Sequence, residues 1–174
     1  GMVREALGLP AAPAAPGRLL STGPSYAWLK VGEGCRHKCA FCTIPSIRGP
    51  LRSVPAADLR EEARGLLAGG VRELVLVAQD LTSWGSDFDT PQSLPRLLDE
   101  LLPLDRLTWL RLLYLYPSGV TPELLRYMRE AGPQLLPYFD IPLQHAHPEV
   151  LTRMGRPFAH DPRRVVDRVR EALP

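Results

Sequence analysis

The sequence predicts an α/β fold, a partial TIM-like (βα) barrel of about four βα units. Its 174 residues are enough for one domain with a core of its own. Short apolar runs alternate with helical patterns along the chain, which is typical of a parallel sheet with helices outside it. The run at residues 72–78 is almost continuously hydrophobic, as a strand buried on both faces requires.

Four strands are predicted, at residues 26–31, 72–78, 109–115 and 138–143. A polar segment follows each of them, and the carboxyl ends of parallel strands meet at one rim. The chain therefore predicts a functional site at that rim, with strand caps and turns as the alternative explanation. The segments are Glu33-Gly34-Cys35, Gln79-Asp80, Tyr116-Pro117-Ser118 and Gln144-His145.

The helices are predicted from capping residues and from the prolines that follow them. Ser53 is expected to cap the first helix, with Pro55 in its first turn and Gly69-Gly70 at its end. The later helical segments are 94–102, then 122–130 capped by Thr121, a short turn at 148–154, and a last helix capped by Asp161.

The chain is predicted to have two parts, a linker or leader at residues 1–24 and a domain at 25–174. The leader is rich in Pro and Ala, which excludes a helix interior and favours an extended linker or a disordered tail. No secretory signal or membrane-length apolar run is present, so we expect a cytoplasmic protein without membrane association. A formal net charge of +2 gives no strong nucleic-acid signal.

Three cysteines stand together in the segment GCRHKCAFC, at Cys35, Cys39 and Cys42. Three thiolates on one short loop can ligate three irons of a [4Fe–4S] cluster and leave the fourth iron open to a ligand. These three residues are the predicted metal ligands. A non-catalytic zinc-binding domain is the alternative, although it needs a fourth ligand and His37 lies at an awkward spacing.

The cysteine segment and its surroundings resemble the radical S-adenosylmethionine (SAM) superfamily, and within it the methylthiotransferase branch. The resemblance covers residues 18–174. The stretches that carry it are 18–21, 26–42, 43–52, 73–82, 111–119, 138–146 and 154–158. LYLYPSG and DIPLQHA favour the enzymes that modify an aspartate of a small-subunit ribosomal protein. The tRNA-adenosine methylthiotransferases are the alternative.

The resemblance implies a transferase whose cofactors are a [4Fe–4S] cluster and SAM, with no catalytic side chain beyond the cluster ligands. Phe41 matches the aromatic near the adenine of SAM. Gln79 and Asp80 stand where the superfamily contacts the methionyl amine, although the usual glycine-rich segment is missing. Ser118 and Gln144 are candidate contacts of the ribose or the carboxylate, with helix capping or sheet-end hydrogen bonding as the alternative.

Family members also have an upstream domain with a second cluster, a barrel of six βα units and a small β-barrel that docks the substrate. The chain therefore resembles a fragment of the central domain, and we expect no complete turnover from it alone. Its expected partners are a ribosomal protein substrate and an electron donor. Unpaired strand edges further predict self-association of the truncated barrel.

Overall fold

The computed structural model describes residue 20, residues 22–156 and residues 161–174. Most of the predicted leader and the end of the 154–158 stretch lie outside these ranges. The elements in chain order are β1 (Tyr26–Lys30), β2 (Gly32–Glu33), α1 (Ile44–Arg48), β3 (Arg52–Ser53), α2 (Ala56–Ala68), β4 (Glu73–Val77), α3 (Leu94–Leu101), β5 (Trp109–Leu112), α4 (Pro122–Glu130), α5 (Pro148–Arg153) and α6 (Arg163–Ala172), with 3-10 turns at Leu81–Ser83 and Pro117–Gly119.

Three parallel strands form the main sheet, in the order β1-β4-β5. Tyr26 of β1 lies opposite Glu73 of β4, which lies opposite Trp109 of β5. Helix α2 connects β1 to β4 and α3 connects β4 to β5, so each crossover contains a helix, as parallel pairing requires. The predicted α/β class and the partial (βα) architecture are confirmed.

The hydrophobic core lies between one face of this sheet and the helices. Side chains alternate between the two faces of a strand, so every second residue of β1 is buried. The fully buried side chains of this core include Ala27, Leu29, Leu74, Leu76, Leu110 and Leu112 from the strands, and Leu59, Ala63, Leu97, Leu98 and Leu101 from the helices. No helix in the described part of the chain is both long enough and apolar enough to cross a bilayer.

The fourth predicted strand, at residues 138–143, is wrong as a regular strand. The chain approaches β5 through one isolated parallel bridge between Leu110 and Leu135. Further along, the N–H of Leu115 donates to the carbonyl of Asp140 at 2.9 Å. The segment thus runs beside β5 without a ladder, and the sheet has three strands within the described residues where four are predicted.

Local hydrogen bonding explains why no ladder forms there. The N–H groups of Tyr138 and Leu143 donate to the carbonyls two residues earlier, at 2.7 and 2.9 Å. Such three-residue turns use the backbone donors that a neighbouring strand would need. Pro137 and Pro142 have no N–H at all. The apolar pattern does not account for these lost donors, and none of residues 138–143 is buried.

Two of the three predicted helix caps differ from the structure. Ser53 lies in β3, opposite Gly32 of β2, and α2 begins after Pro55 instead. Asp161 pairs with Arg164 at 2.8 Å, and the cap position of α6 is occupied by Pro162. In both places a proline with φ near −60° starts the helix one or two residues later than the polar residue.

The cap at Thr121 is confirmed, because its side chain accepts a hydrogen bond from the N–H of Leu124 at 3.2 Å. The predicted end of α2 is also confirmed. The N–H of Gly69 closes the last turn, and Gly70 has φ +106°, a conformation that glycine adopts without strain. Sequence patterns missed the β2–β3 hairpin and α1, which are too short to show a period.

Candidate functional site

A cavity of about 340 Å³ lies where the cysteine segment meets the ends of β4 and β5. All three predicted metal ligands line it, together with three of the five residues predicted to contact the cofactor. The six residues are Cys35, Cys39, Cys42, Phe41, Gln79 and Gln144. The structure therefore brings together most of a predicted set that is spread over more than half of the chain.

The other two predicted residues, Asp80 and Ser118, line an adjoining and more polar cavity of about 520 Å³. Arg36 of the cysteine segment also lines it. His37 and Tyr116 line both cavities and so stand between them. The predicted residues are thus divided between two neighbouring spaces, which the sequence alone did not indicate.

The cysteine segment enters its loop through Gly34, which has φ +73°. A Cβ at this position would lie 2.1 Å from the carbonyl oxygen of Pro50, closer than any side chain tolerates. The next residue, Cys35, donates its N–H to the carbonyl of Gly49 at 3.2 Å. Gly49 and Pro50, which lead into β3, thereby hold the start of the loop beside the cavity.

The far end of the loop is held by its own backbone and by the residues after α5. The N–H of Cys42 donates to the carbonyl of Cys39 at 3.0 Å, and the N–H of Ala40 donates to the carbonyl of Met154 at 3.0 Å. All three cysteines are free thiols with intermediate exposure. They are therefore both fixed in place and accessible to a ligand.

Three thiols from one loop on one cavity wall are a donor set that suits an iron–sulfur cluster. A cluster presents several iron corners, so its thiolate ligands do not have to meet at one point.

A buried polar atom in the same cavity wall fits a polar ligand. The Oε1 atom of Gln79 is buried and has no hydrogen-bond partner among the described residues. An unpaired acceptor of this kind is costly to bury, so it marks a place where a ligand donor such as an ammonium group belongs. The position agrees with the predicted contact to the methionyl amine of SAM.

Backbone strain is concentrated at the same cavity. Three non-glycine residues among those described have positive φ, and two of them, Tyr114 and Gln144, line this cavity. Their φ values are 61° and 70°. Non-glycine residues in this conformation tend to cluster at functional sites, where the surrounding structure holds them. Tyr114 is therefore a cavity residue that sequence patterns did not identify.

Asp80 is 3% exposed and is held by hydrogen bonds from within the protein. Its carboxylate accepts from the ring of His37 at 2.7 Å, from the N–H and hydroxyl of Thr82 at 2.9 and 2.6 Å, and from the hydroxyl of Ser83. Burial alone would raise the pKa of Asp80, but the hydrogen bonds from His37, Ser83 and Thr82 outweigh it and hold the pKa below its ordinary value.

These bonds use the oxygens of Asp80 inside the fold, so the geometry favours a structural role for it. Ser118 is exposed on a 3-10 turn beside the polar cavity. Contact of either residue with SAM stays a prediction, as do the contacts predicted for Phe41, Gln79 and Gln144.

Five side chains form a continuous array across the wall between the two cavities, which we call the stacked array: Asp80, His37, Tyr116, Arg156 and Phe41. The rings of His37 and Tyr116 are stacked, with centroids 3.6 Å apart and planes 10° apart. The guanidinium carbon of Arg156 lies 4.8 Å from the ring centroid of Tyr116 and 5.5 Å from that of Phe41.

The stacked array also reaches a predicted metal ligand. The hydroxyl oxygen of Tyr116 lies 3.8 Å from the Sγ atom of Cys39. Burial raises the pKa of Tyr116 to about 12, and hydrogen bonding with Cys39 adds to this while Arg156 opposes it. Burial likewise raises the pKa of the Cys35 thiol, and the nearby Asp80 carboxylate adds to the effect.

Sequence reasoning did not assign a role to Tyr116 or Arg156. Both lie in stretches that carried the family resemblance, LYLYPSG and MGRPF, so a signal was present. No spacing rule connects them, because residues 39, 116 and 156 meet only through the fold.

Comparison with known proteins gives two findings. Residues 29–174 match the family described as the radical SAM superfamily. The similar proteins include ones named ribosomal protein uS12 methylthiotransferase RimO. The protein of that name from Nitratidesulfovibrio vulgaris (strain DP4) is 68% identical over 159 residues. Those of Oleidesulfovibrio alaskensis and Lawsonia intracellularis are 61% and 55% identical over 173 and 157 residues.

The chain spans well under half the length of these relatives. The three alignments cover 91%, 99% and 90% of this chain, but only 37%, 40% and 36% of the respective relatives.

Proposed function

The chain belongs to the radical SAM superfamily, and we propose that it holds a [4Fe–4S] cluster on Cys35, Cys39 and Cys42 and binds SAM in the adjoining cavity. The observation that carries the proposal is the placement of three thiols from one loop on the wall of a single cavity at the ends of parallel strands. When bound, the cluster supplies the electron that cleaves a carbon–sulfur bond of SAM.

The remaining residues of the cavity orient SAM in this proposal. The side-chain oxygen of Gln79 accepts a hydrogen bond from the methionyl ammonium. Phe41, half-exposed at the cavity wall, lies beside the adenine. Gln144, held at φ 70°, offers its amide to the ribose or the carboxylate. Ser118 contacts the ribose or the carboxylate from the adjoining cavity. Asp80, in the same cavity, holds the ring of His37 in place through its hydrogen bond.

We further propose that the protein containing this chain transfers a methylthio group to an aspartate of a small-subunit ribosomal protein. The names of the similar proteins support this, and they favour it over the tRNA-adenosine alternative. Such a substrate places the enzyme in the cytoplasm, where an electron donor reduces the cluster.

Anaerobic reconstitution with iron and sulfide tests the cluster and SAM sites. We expect about four irons per chain, as the cluster requires, and an electron paramagnetic resonance spectrum of the reduced cluster that changes when SAM is added. The variant Gln79→Leu removes the buried acceptor while keeping the three cysteines. It should keep its iron but need more SAM to produce the spectral change.

The matched control is Gln134→Leu, because Gln134 donates to the carbonyl of Leu107 away from the cavity. It should bind SAM like the unmodified chain. A chain that takes up zinc alone, or a reduced cluster whose spectrum is indifferent to SAM, contradicts the proposal.

A further inference from the structure

The hydroxyl of Tyr116 points at a proposed cluster ligand from a ring that is held on several sides. The Tyr116 side chain is 5% exposed and its oxygen lies 3.8 Å from Cys39 Sγ, within reach of a hydrogen bond to sulfur. Its ring is stacked on His37, which is fixed in turn by the bond to Asp80. The N–H of Tyr116 itself donates to Asp80 at 3.4 Å.

We propose that Tyr116 is a positioning residue that donates a hydrogen bond to the Cys39 thiolate and stabilises the reduced state of the cluster. The inference rests on the proposed function, since it concerns the cluster that Cys39 helps to hold. It assigns to a residue outside the cysteine segment a part in setting how easily the cluster accepts an electron.

The donor direction follows from the state of the sulfur. A thiolate that ligates iron has no proton to give, so in its 3.8 Å contact with the hydroxyl oxygen of Tyr116 the sulfur can only accept. The hydroxyl of Tyr116 is therefore the donor of this hydrogen bond.

A hydrogen bond to a cluster sulfur shifts the reduction potential of the cluster in a definite direction. Reduction adds negative charge to the cluster, and donors to its sulfurs stabilise that charge and make the reduction potential less negative. The low exposure of Tyr116 keeps water from replacing the bond. Arg156, 6% exposed, adds a positive charge on the same side.

The test is a redox titration of the reconstituted chain, followed by electron paramagnetic resonance, for the unmodified protein, Tyr116→Phe and Tyr26→Phe. Tyr116→Phe should keep its iron and titrate at a more negative potential. The expected change is up to roughly tenfold in the reduction equilibrium, which is about 59 mV for one electron. Tyr26→Phe removes a hydroxyl from an exposed residue that lines neither cavity, and it should leave the potential unchanged.

A second substitution guards against loss of the fold in Tyr116→Phe. Site-specific replacement of Tyr116 by 3-fluorotyrosine keeps the ring and gives a stronger hydroxyl donor, so the potential should become less negative. Opposite shifts in the two proteins support the inference. A potential that neither change moves overturns it, as does a fluorotyrosine shift in the negative direction.

The experiment separates this inference from the function it rests on. If the unmodified chain takes up no iron–sulfur cluster, the proposed function fails and the inference fails with it. If the unmodified chain binds the cluster and responds to SAM, while Tyr116→Phe titrates at the same potential, only the inference is overturned.

Discussion

Gly34 shows how one residue controls the geometry of the cysteine loop. Its φ is positive, and a Cβ added to it would lie 2.1 Å from the carbonyl oxygen of Pro50, so the turn into Cys35 depends on glycine. Gly49, whose carbonyl accepts from Cys35, has φ +78° but open space around it. The steric requirement is therefore specific to Gly34.

We expect Gly34→Ala to lower both stability and iron uptake. The added Cβ forces the loop away from the β2–β3 hairpin, at a cost of about 1–3 kcal/mol for strain at such a position. Urea unfolding and iron content after reconstitution measure the two effects. Gly65→Ala is the control, because nothing lies within 4 Å of a Cβ there and alanine favours the α2 helix. Equal iron uptake by Gly34→Ala would contradict the steric argument.

At the scale of elements, short contacts join the β2–β3 hairpin to the segment that follows β4. Ser53 of β3 donates its N–H and its hydroxyl to Asp87 at 2.8 and 2.6 Å, and its hydroxyl accepts from the N–H of Gly85 at 2.8 Å. The indole of Trp84 donates to the carbonyl of Val54 at 3.0 Å. The β2–β3 pair, which flanks the cysteine loop, is thus anchored to the segment that follows β4.

The Asp87 bonds predict a specific pH dependence of stability. Slight burial raises the pKa of Asp87, but the hydrogen bonds from Ser53 outweigh this and the net pKa is lowered below 3.8. A carboxyl group whose pKa is lower in the folded state stabilises the fold above its unfolded pKa, and this contribution is lost as the pH falls through the folded value. Asp87→Asn should therefore lose less stability between pH 5 and pH 3 than the unmodified chain.

Urea unfolding at a series of pH values measures the effect of Asp87→Asn. Asp89→Asn removes the same charge two residues away and leaves the Ser53 bonds in place, so it should follow the unmodified chain. Identical pH profiles for Asp87→Asn and the unmodified chain would show that the bonds to Ser53 do not contribute.

At the scale of the whole molecule, the described sheet has two dissimilar outer strands. The outer edge of β5 is partly covered by residues 134–140 through bonds to Leu110 and Leu115. On β1, Tyr26 and Trp28 are 37% and 38% exposed and lie on the sheet face opposite the core. An unprotected strand edge beside exposed aromatic rings invites pairing with another chain.

We expect the chain to self-associate in a concentration-dependent way through β1. Trp28→Lys places a charge on this strand and should shift the equilibrium toward monomer. Trp109→Lys is the matched control, since Trp109 is also exposed but lies on the partly covered strand β5. Sedimentation equilibrium measures the association, and a monodisperse monomer at every concentration would contradict the prediction.

We also expect that the chain alone does not methylthiolate a uS12 peptide, even when its cluster responds to SAM. The relatives named for this activity are more than twice as long as the matched region. Mass spectrometry of the peptide after anaerobic incubation with SAM and a reductant gives the result. A mass increase corresponding to a methylthio group would contradict this expectation.

Sequence patterns predict the order and type of the main elements, the cysteine loop and the rim at which the site lies. Those features depend on local patterns: periodic burial, helix ends and the spacing of three thiols. The strand at 138–143 was wrong because its pattern of apolar residues does not show whether backbone donors remain for a neighbour.

The division of the site into two cavities, and the side chains that support it, became visible in the folded molecule alone. The fold placed Asp80 on His37, 43 residues apart, and Tyr116 on Cys39, 77 residues apart. It also separated Asp80 and Ser118 from the cysteine cavity. The physical reason is that these contacts depend on the packing of whole βα units, which bring distant residues together without leaving a local pattern.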